Sequence, residues 1–349
     1  MPYINFKPSS YFNAIAYSGN GGNGTTTSQA ITGAGFQPDW VWLKQRTSTQ
    51  NHQICDVIRG ANNILLSNGN NSEGADSHII NSFDSDGFTA GYQDQANDTG
   101  HTYISWLWRA ANSQGSANTT GSINTTYTSA NTTSGFSIIK YSGNGSAGAT
   151  IGHGLGVAPK CVIIKRMDTT SNWIFGTHAT GFNKFLYLNG TDTETTNSGA
   201  FNNTAPSSTV ITLGSWNDVN NSSGTYICYA FAEKKGFSRF GLYEGNGSTS
   251  GTFVFTGFKP KFVMLKGKGN SSNWGMHDGG RDIDNPVQKG LLANTNAAED
   301  THDFMDFLSN GFRLRSSSSN RNASGQGYVY MAFAEEPFVA SNEDPATAR

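Results

Sequence analysis

The chain has 349 residues, a formal net charge of −2 and 14% charged side chains, against roughly 25% in an average soluble domain. Without clustered Lys or Arg to displace counterions it is poorly suited to nucleic acid, and no apolar run approaches the ~18 residues of a membrane-crossing helix. Its 42 glycines, with Asn, Ser and Thr filling the stretches between short apolar segments, describe a β-rich chain solubilised by neutral polar groups.

In chain order, residues 1–11 read as an N-terminal arm, because Pro2 and Pro8 discourage regular structure. Met1 to Pro8 has neither the basic start nor the apolar core of an export signal, so the expectation is a protein made in a cytoplasm and not exported by the usual route. The arm is expected to dock on a neighbouring protein, so that its deletion leaves the rest folded. Residues 12–110 hold the first copy of a pattern that opens on Tyr17-Ser18-Gly19-Asn20-Gly21. It continues with Pro38-Asp39-Trp40-Val41-Trp42-Leu43-Lys44 and closes on Tyr103-Ile104-Ser105-Trp106. Residues 111–134 are nearly devoid of apolar side chains and read as a polar linker, flexible or laid along a neighbour. The second copy, 135–235, repeats the opening at Tyr141, the strand signal from Pro159 to Lys165 and the closing run from Tyr226. The third, 236–338, does so at Tyr243, Pro260 to Lys266 and Tyr328, and 339–349 is a C-terminal tail. The opening and closing tyrosines are equally spaced to within one residue in all copies, so one folding unit is used three times.

No helical periodicity is sustained, and Trp40 to Leu43 is apolar at every position, as in a strand covered on both faces. Many short strands separated by turns predict an all-β protein of three tandem antiparallel β-sandwiches, jelly-roll or lectin-like, each with its own core. The repeats fit a pseudo-threefold disc or an extended string, and the long linker after copy one, against none after copy two, points to an asymmetric arrangement. Cys161 aligns with Trp40 and Phe262, Cys228 aligns with Ser105 and Tyr330, and Cys55 sits in a strand-like run, so all three thiols read as packing residues.

Each strand lysine is followed at one constant distance by an aromatic ring: His52, Trp173 and Trp274, each preceded by Asn51, Asn172 or Asn273. A Trp on a loop is a candidate sugar-stacking platform, and packing between sheets is the plainer reading. Asp56 and Arg59, like Asp278 and Arg281, are spaced for a loop-fixing structural ion pair, while copy two has Thr177 and Thr180 there. Asn68 with Glu73, Asn189 with Glu194 and Asn294 with Glu299 recur as a turn closed by a glutamate. The acidic run from His277 to Asp284 lacks calcium-loop spacing, and no helix pattern follows the glycine-rich run from Gly19 to Gly24 that could hold a phosphate. No Ser-His-Asp order or paired carboxylate set recurs, so the chain reads as a non-enzyme, and no metal or cofactor is assigned.

Gly35 to Lys44, Asp56 to Gly60, Ser85 to Phe88, Gly152 to Leu155 and Tyr328 to Glu335 together resemble an uncharacterised tandem-repeat family of virion proteins from tailed bacteriophages, especially marine ones. The resemblance implies a virion structural protein on the particle exterior, tail-associated as a tail fibre or host-contact component, assembled in the host cytoplasm. Its implied partners are other virion proteins, further copies of the chain and a host-surface glycan, with no catalytic residues to carry over. A capsid decoration protein and a stand-alone lectin-like module are the alternatives, the last requiring Trp173 and Trp274 to be exposed.

Overall fold

A computed structural model describes residues 6–21 and 26–336, so the expected tail 339–349 and the first five residues of the arm lie outside the described residues. The chain is all-β, built of several antiparallel sheets; among the described residues the helical elements are a 3₁₀ turn at Pro8–Ser10 and four-residue turns at Asp94–Asn97, Ser198–Phe201 and Asn217–Asn220. Each repeat is organised on three strands. An opening strand (Phe12–Ser18, Phe136–Ser142 or Ser238–Glu244) pairs with a closing strand (Thr102–Trp108, Thr225–Phe231 or Gly327–Ala334). The closing strand in turn pairs with a lysine strand (Trp40–Gln45, Cys161–Arg166 or Pro260–Gly267). The register is common to all three, with Tyr17 opposite Tyr103, Tyr141 opposite Tyr226 and Tyr243 opposite Tyr328. Each repeat has a further antiparallel pair: Gln29–Thr32 with Gly87–Ala90, Thr150–Gly152 with Val210–Thr212, and Phe253–Phe255 with Gly311–Leu314, the last continuous with the eight-stranded sheet of repeat three.

Strand geometry sends alternate side chains to opposite faces, and here the two faces meet different cores. Trp40, Trp42, Cys161, Ile163, Phe262 and Met264 enter one cluster shared by all three repeats. Val41 and Leu43 enter a cluster private to repeat one, and Val162 and Ile164 one private to repeat two. The interior of repeat three is continuous with the shared cluster. Repeats one and two thus have cores of their own, as expected, and repeat three does not; in addition, much of the bulky apolar surface is buried between repeats, each large side chain contributing roughly 1.5–3 kcal/mol. Trp40 of repeat one stacks on Tyr229 of repeat two at 4.5 Å. Phe175 of repeat two packs on Trp274 of repeat three at 4.6 Å, and Phe12 of repeat one stacks on Phe333 of repeat three at 5.1 Å. Repeat one touches two, two touches three and three touches one, so the repeats close a ring.

Residues 111–134, expected as a linker, are largely built into repeat two. Asp39 holds the start of this segment by accepting the N–H groups of Ala110 (2.6 Å) and Asn112 (3.0 Å). Tyr127–Asn131 then pairs along the opening strand Phe136–Ser142, and Ile123, 7% exposed, bridges to Ile151. The asymmetry read from linker length is thus an extra strap on one repeat, laid over an otherwise threefold plan. The described part of the arm is also part of the fold. Phe6 lies 5.4 Å from Phe237, Pro8 is buried in a 3₁₀ turn, and Lys7 pairs with Glu336 at 3.0 Å. Residues 6–11 therefore do not form a free docking arm, and their removal would uncover Phe237.

Candidate functional site: three seams between repeats

The recurring side chains converge on the seams of the ring, and each seam begins with an asparagine pair. The second residue of each Asn-aromatic step gives its backbone N–H to an asparagine on the following strand end: His52 to Asn68, Trp173 to Asn189 and Trp274 to Asn294, all at 2.9 Å. The same asparagines donate to the side chains of Asn51, Asn172 and Asn273 at 2.7, 2.9 and 2.8 Å. This clasp fixes the ring that follows so that it reaches the neighbouring repeat. Trp173 Nε1 donates to Leu66 O of repeat one at 2.9 Å, Trp274 Nε1 to Tyr187 O of repeat two at 2.9 Å, and His52 Nε2 meets Leu292 O of repeat three at 3.0 Å. Trp42 Nε1 donates to His52 Nδ1 at 2.9 Å, so Nδ1 is the acceptor and the proton resides on Nε2. Burial, followed by the nearby Lys44 charge, depresses the His52 pKa well below its usual value and keeps the ring neutral.

As candidate sugar contacts, His52, Trp173 and Trp274 are corrected by this geometry. They are 0%, 0% and 1% exposed, and a ring face enclosed by protein cannot stack on a pyranose.

The Asp-x-x-Arg pairs lie in the same seams. Asp56 Oδ2 meets Arg59 Nε at 2.5 Å and Asp278 Oδ2 meets Arg281 Nε at 2.7 Å, with all four side chains fully buried. Each aspartate also closes its turn through backbone N–H groups, Ile58 and Arg59 in one case and Gly280 and Arg281 in the other. Each takes one more donor from the adjoining repeat: Tyr229 Oη to Asp56 at 2.7 Å, and Trp106 Nε1 to Asp278 at 2.9 Å. The residue of repeat three that aligns with Trp106 and Tyr229 is Met331, which has no N–H or O–H to give. It would face repeat two, where Thr177 and Thr180 replace the pair. Donor and acceptor are absent from the same seam, so neither is buried there without its counterpart.

The glutamates complete the ring. Glu73 N donates to Met167 O, Glu194 N to Lys268 O and Glu299 N to Arg46 O, at 2.8, 2.7 and 2.7 Å. Their carboxylates pair with Arg59 (3.1 Å) and Arg281 (3.0 Å) where those exist, and Glu299 also binds Arg46 at 2.8 Å. In repeat two, which lacks the arginine, Glu194 binds Lys184 at 2.7 Å and Lys268 at 3.1 Å. The strand lysines are buried, and among the described residues no carboxylate forms an ion pair with them. Lys165 Nζ donates to Ser171 O (2.8 Å) and across the seam to Asn70 O (3.3 Å); Lys266 Nζ donates to Ser272 O (2.7 Å) and to Thr191 O of repeat two (3.0 Å). Burial lowers the pKa of Lys44, Lys165 and Lys266 alike to about 8.

Two further recurring sets, the paired tyrosines and the Gly-Asn-Gly loops, brace each repeat internally. The opening and closing tyrosines stack at 5.1 Å in every copy. Tyr103, Tyr226 and Tyr328 each span the short turn before the closing strand, accepting an N–H from Asp98, Asn221 or Ala323 and donating to Asp94 O, Asn217 O or Ser319 O. Asn97, Asn220 and Asn322, buried in those turns, accept the N–H of Asn20, Asn144 and Asn246 in the Gly-Asn-Gly loops. The preceding glycine is required for contact: a Cβ on Gly19, Gly143 or Gly245 would lie 2.2–2.3 Å from a backbone oxygen of the turn.

Within the acidic stretch from His277 to Asp284, Asp278 is taken up by Arg281 and Trp106, and Asp282 accepts the N–H groups of Gln288 and Lys289 at 2.9 and 2.6 Å. Among the described residues no group of three or more His, Cys, Asp or Glu is placed to hold a metal ion. Cys55, Cys161 and Cys228 are free and buried, and burial raises all three thiol pKa values, Cys55 to about 12.

The model of a protein family described as a domain of unknown function, DUF7483, matches residues 7–337 in one span. The chain belongs to this family. The DUF7483 match runs through all three repeats and the strap between the first two, which agrees with a closed ring acting as one folded body. No curated protein and no solved structure matches the chain.

Proposed function

We propose that this protein is a structural component of a bacteriophage virion, carried on the particle exterior and tail-associated, with each repeat a jelly-roll or lectin-like β-sandwich. The observation that carries a structural role is the fate of the recurring polar side chains. The asparagine clasps, ring N–H groups, Asp–Arg pairs and glutamates all bond to protein across or beside the seams. A chain whose repeated chemistry is spent holding three repeats together serves as a rigid scaffold, and low charge with neutral polar loops suits a protein packed at high local concentration. The virion setting rests on the family resemblance of the repeat motifs. A capsid decoration protein remains the close alternative, and the lectin reading has lost the two tryptophans on which it stood. Electron cryomicroscopy of purified particles, fitted with the ring, tests the proposal: density on the tail supports it, density over the shell favours decoration, and absence from purified particles overturns both.

A further inference from the structure

The strands Gln29–Thr32, Thr150–Gly152 and Phe253–Phe255 are equivalent edge strands of the three repeats, and repeats two and three differ in what lies beside theirs. In repeat two the strand Thr150–Gly152 is flanked by the chain's own strap. Thr150 N–H donates to Ser122 Oγ at 2.9 Å, and Thr150 O accepts from Ile123 N at 2.9 Å. In repeat three the corresponding strand Phe253–Phe255 pairs, among the described residues, on one side only, with Val254 opposite Phe312. The chain joining repeats two and three, Ala232 to Phe237, leads straight into the opening strand Ser238–Glu244 and supplies no strap. The outward N–H and C=O groups of Phe253 and Phe255 therefore meet no strand among the described residues, in the position where Thr150 is bonded.

The side chains at this edge are unusual. Phe253 and Phe255 are 44% and 58% exposed, where repeat one has Ala30 and Thr32 and repeat two has Thr150 and Gly152. Arg313 lies opposite Phe253 on one side of its strand and opposite Asp306 on the other; Asp306 is paired with Arg315 at 2.7 Å, and among the described residues Arg313 forms no ion pair and bonds to the Ser250 hydroxyl. Unpaired edges are ordinarily blunted by charge or proline, and none of Thr252 to Thr256 supplies either. In repeat two the strap can cross at Gly152 because no side chain is there; a Cβ would sit 2.1 Å from Asn118 Oδ1. Phe255 bars that crossing in repeat three and selects a different occupant.

We propose that the strand Phe253–Phe255 accepts an extended segment of a second, different polypeptide, added edge to edge. The incoming strand would bond to the outward backbone groups of Phe253 and Phe255, lay apolar side chains at alternate positions on the two rings, and place a carboxylate near Arg313. The precedent lies within the chain, because the equivalent edge of repeat two is completed by an added polypeptide strand.

The test uses the full-length protein and a random-peptide display library, with two variants, Phe253→Ser/Phe255→Thr and Arg313→Ser, first shown to keep the wild-type melting temperature. The expected result is enrichment of peptides with alternating apolar residues and an acidic residue. A synthetic peptide of the enriched sequence should lose about tenfold or more in affinity for the double variant, and likewise when one of its central amides is N-methylated. The proposal is overturned if no sequence is enriched, or if binding ignores the phenylalanine replacements or the N-methyl group. It is overturned equally if the wild type self-associates in sedimentation and Phe253→Ser/Phe255→Thr disperses it, which would assign the edge to a second copy.

Discussion

Replacing Asp278 by Thr tests whether the buried pairs exist to satisfy one another or to add stability outright. The change removes the acceptor of Arg281 Nε (2.7 Å) and of Trp106 Nε1 (2.9 Å), together with two turn-closing bonds, and leaves a buried guanidinium held by Glu299 at 3.0 Å and Met276 O at 3.0 Å. Breaking one half of a buried pair costs about 3–5 kcal/mol, and the surviving Glu299 contact places this case near 3 kcal/mol. With an unfolding entropy of roughly 2.1 cal/mol/K per residue, a ring melting as one unit loses about 4 °C in Tm. The double change Asp278→Thr/Arg281→Thr reproduces what repeat two already has in Thr177 and Thr180. It should recover part of the loss, leaving about 1–2 kcal/mol for the Trp106 N–H that then lacks an acceptor. Calorimetry and urea titration of the wild type and both variants give the comparison. If the double variant is as unstable as Asp278→Thr or worse, the pair contributes net attraction and the reasoning from mutual satisfaction fails.

Because the three repeats share one core, urea unfolding should be a single transition with fluorescence and circular dichroism superimposed; separate transitions would show that the repeats fold independently. Lys266 has a folded pKa of about 8, below its unfolded value, so between those values the unfolded chain binds more protons and stability rises with pH. The wild type should therefore gain stability relative to Lys266→Met as pH is raised from 7 to 9.5, measured by paired melts, and a constant difference would mean that the ammonium is not desolvated. Burial and the Lys44 charge hold the His52 pKa well below its usual value, so its ring should stay neutral through the ordinary histidine range in labelled-histidine NMR spectra, and titration near 6.5 would contradict the Trp42 and Leu292 bonds. Gly143→Ala sets a methyl 2.3 Å from Asn221 O and should cost about 1–3 kcal/mol in thermal stability, whereas Gly156→Ala, with open space around its Cβ, should show only the smaller penalty of its positive φ.

What the sequence disclosed and what it hid divide along a physical line. The repeat, the β class and the packing positions of Cys161 and Cys228 were legible because strand alternation and residue spacing are local properties. The partners of the constant-distance rings were hidden, because an indole N–H bonds as well within a repeat as across a seam, and spacing inside one copy says nothing about which copy it reaches. The strap was hidden by composition: only Ile123 and Tyr127 are large and apolar between residues 111 and 134, yet backbone pairing along Phe136–Ser142 needs no apolar side chain. One signal of the seams was nevertheless present. Trp106, Tyr229 and Met331 align, and the copy whose neighbour contributes Met331 is the copy that carries Thr177 and Thr180. A donor missing from one repeat and an acceptor pair missing from the preceding one are a joint loss that two surfaces in contact require and two separate sandwiches would not. Together with the bonds of Tyr229 to Asp56 and Trp106 to Asp278, this makes direct packing of each repeat on its predecessor the simplest cause of the pattern, and the ring follows from applying that contact three times.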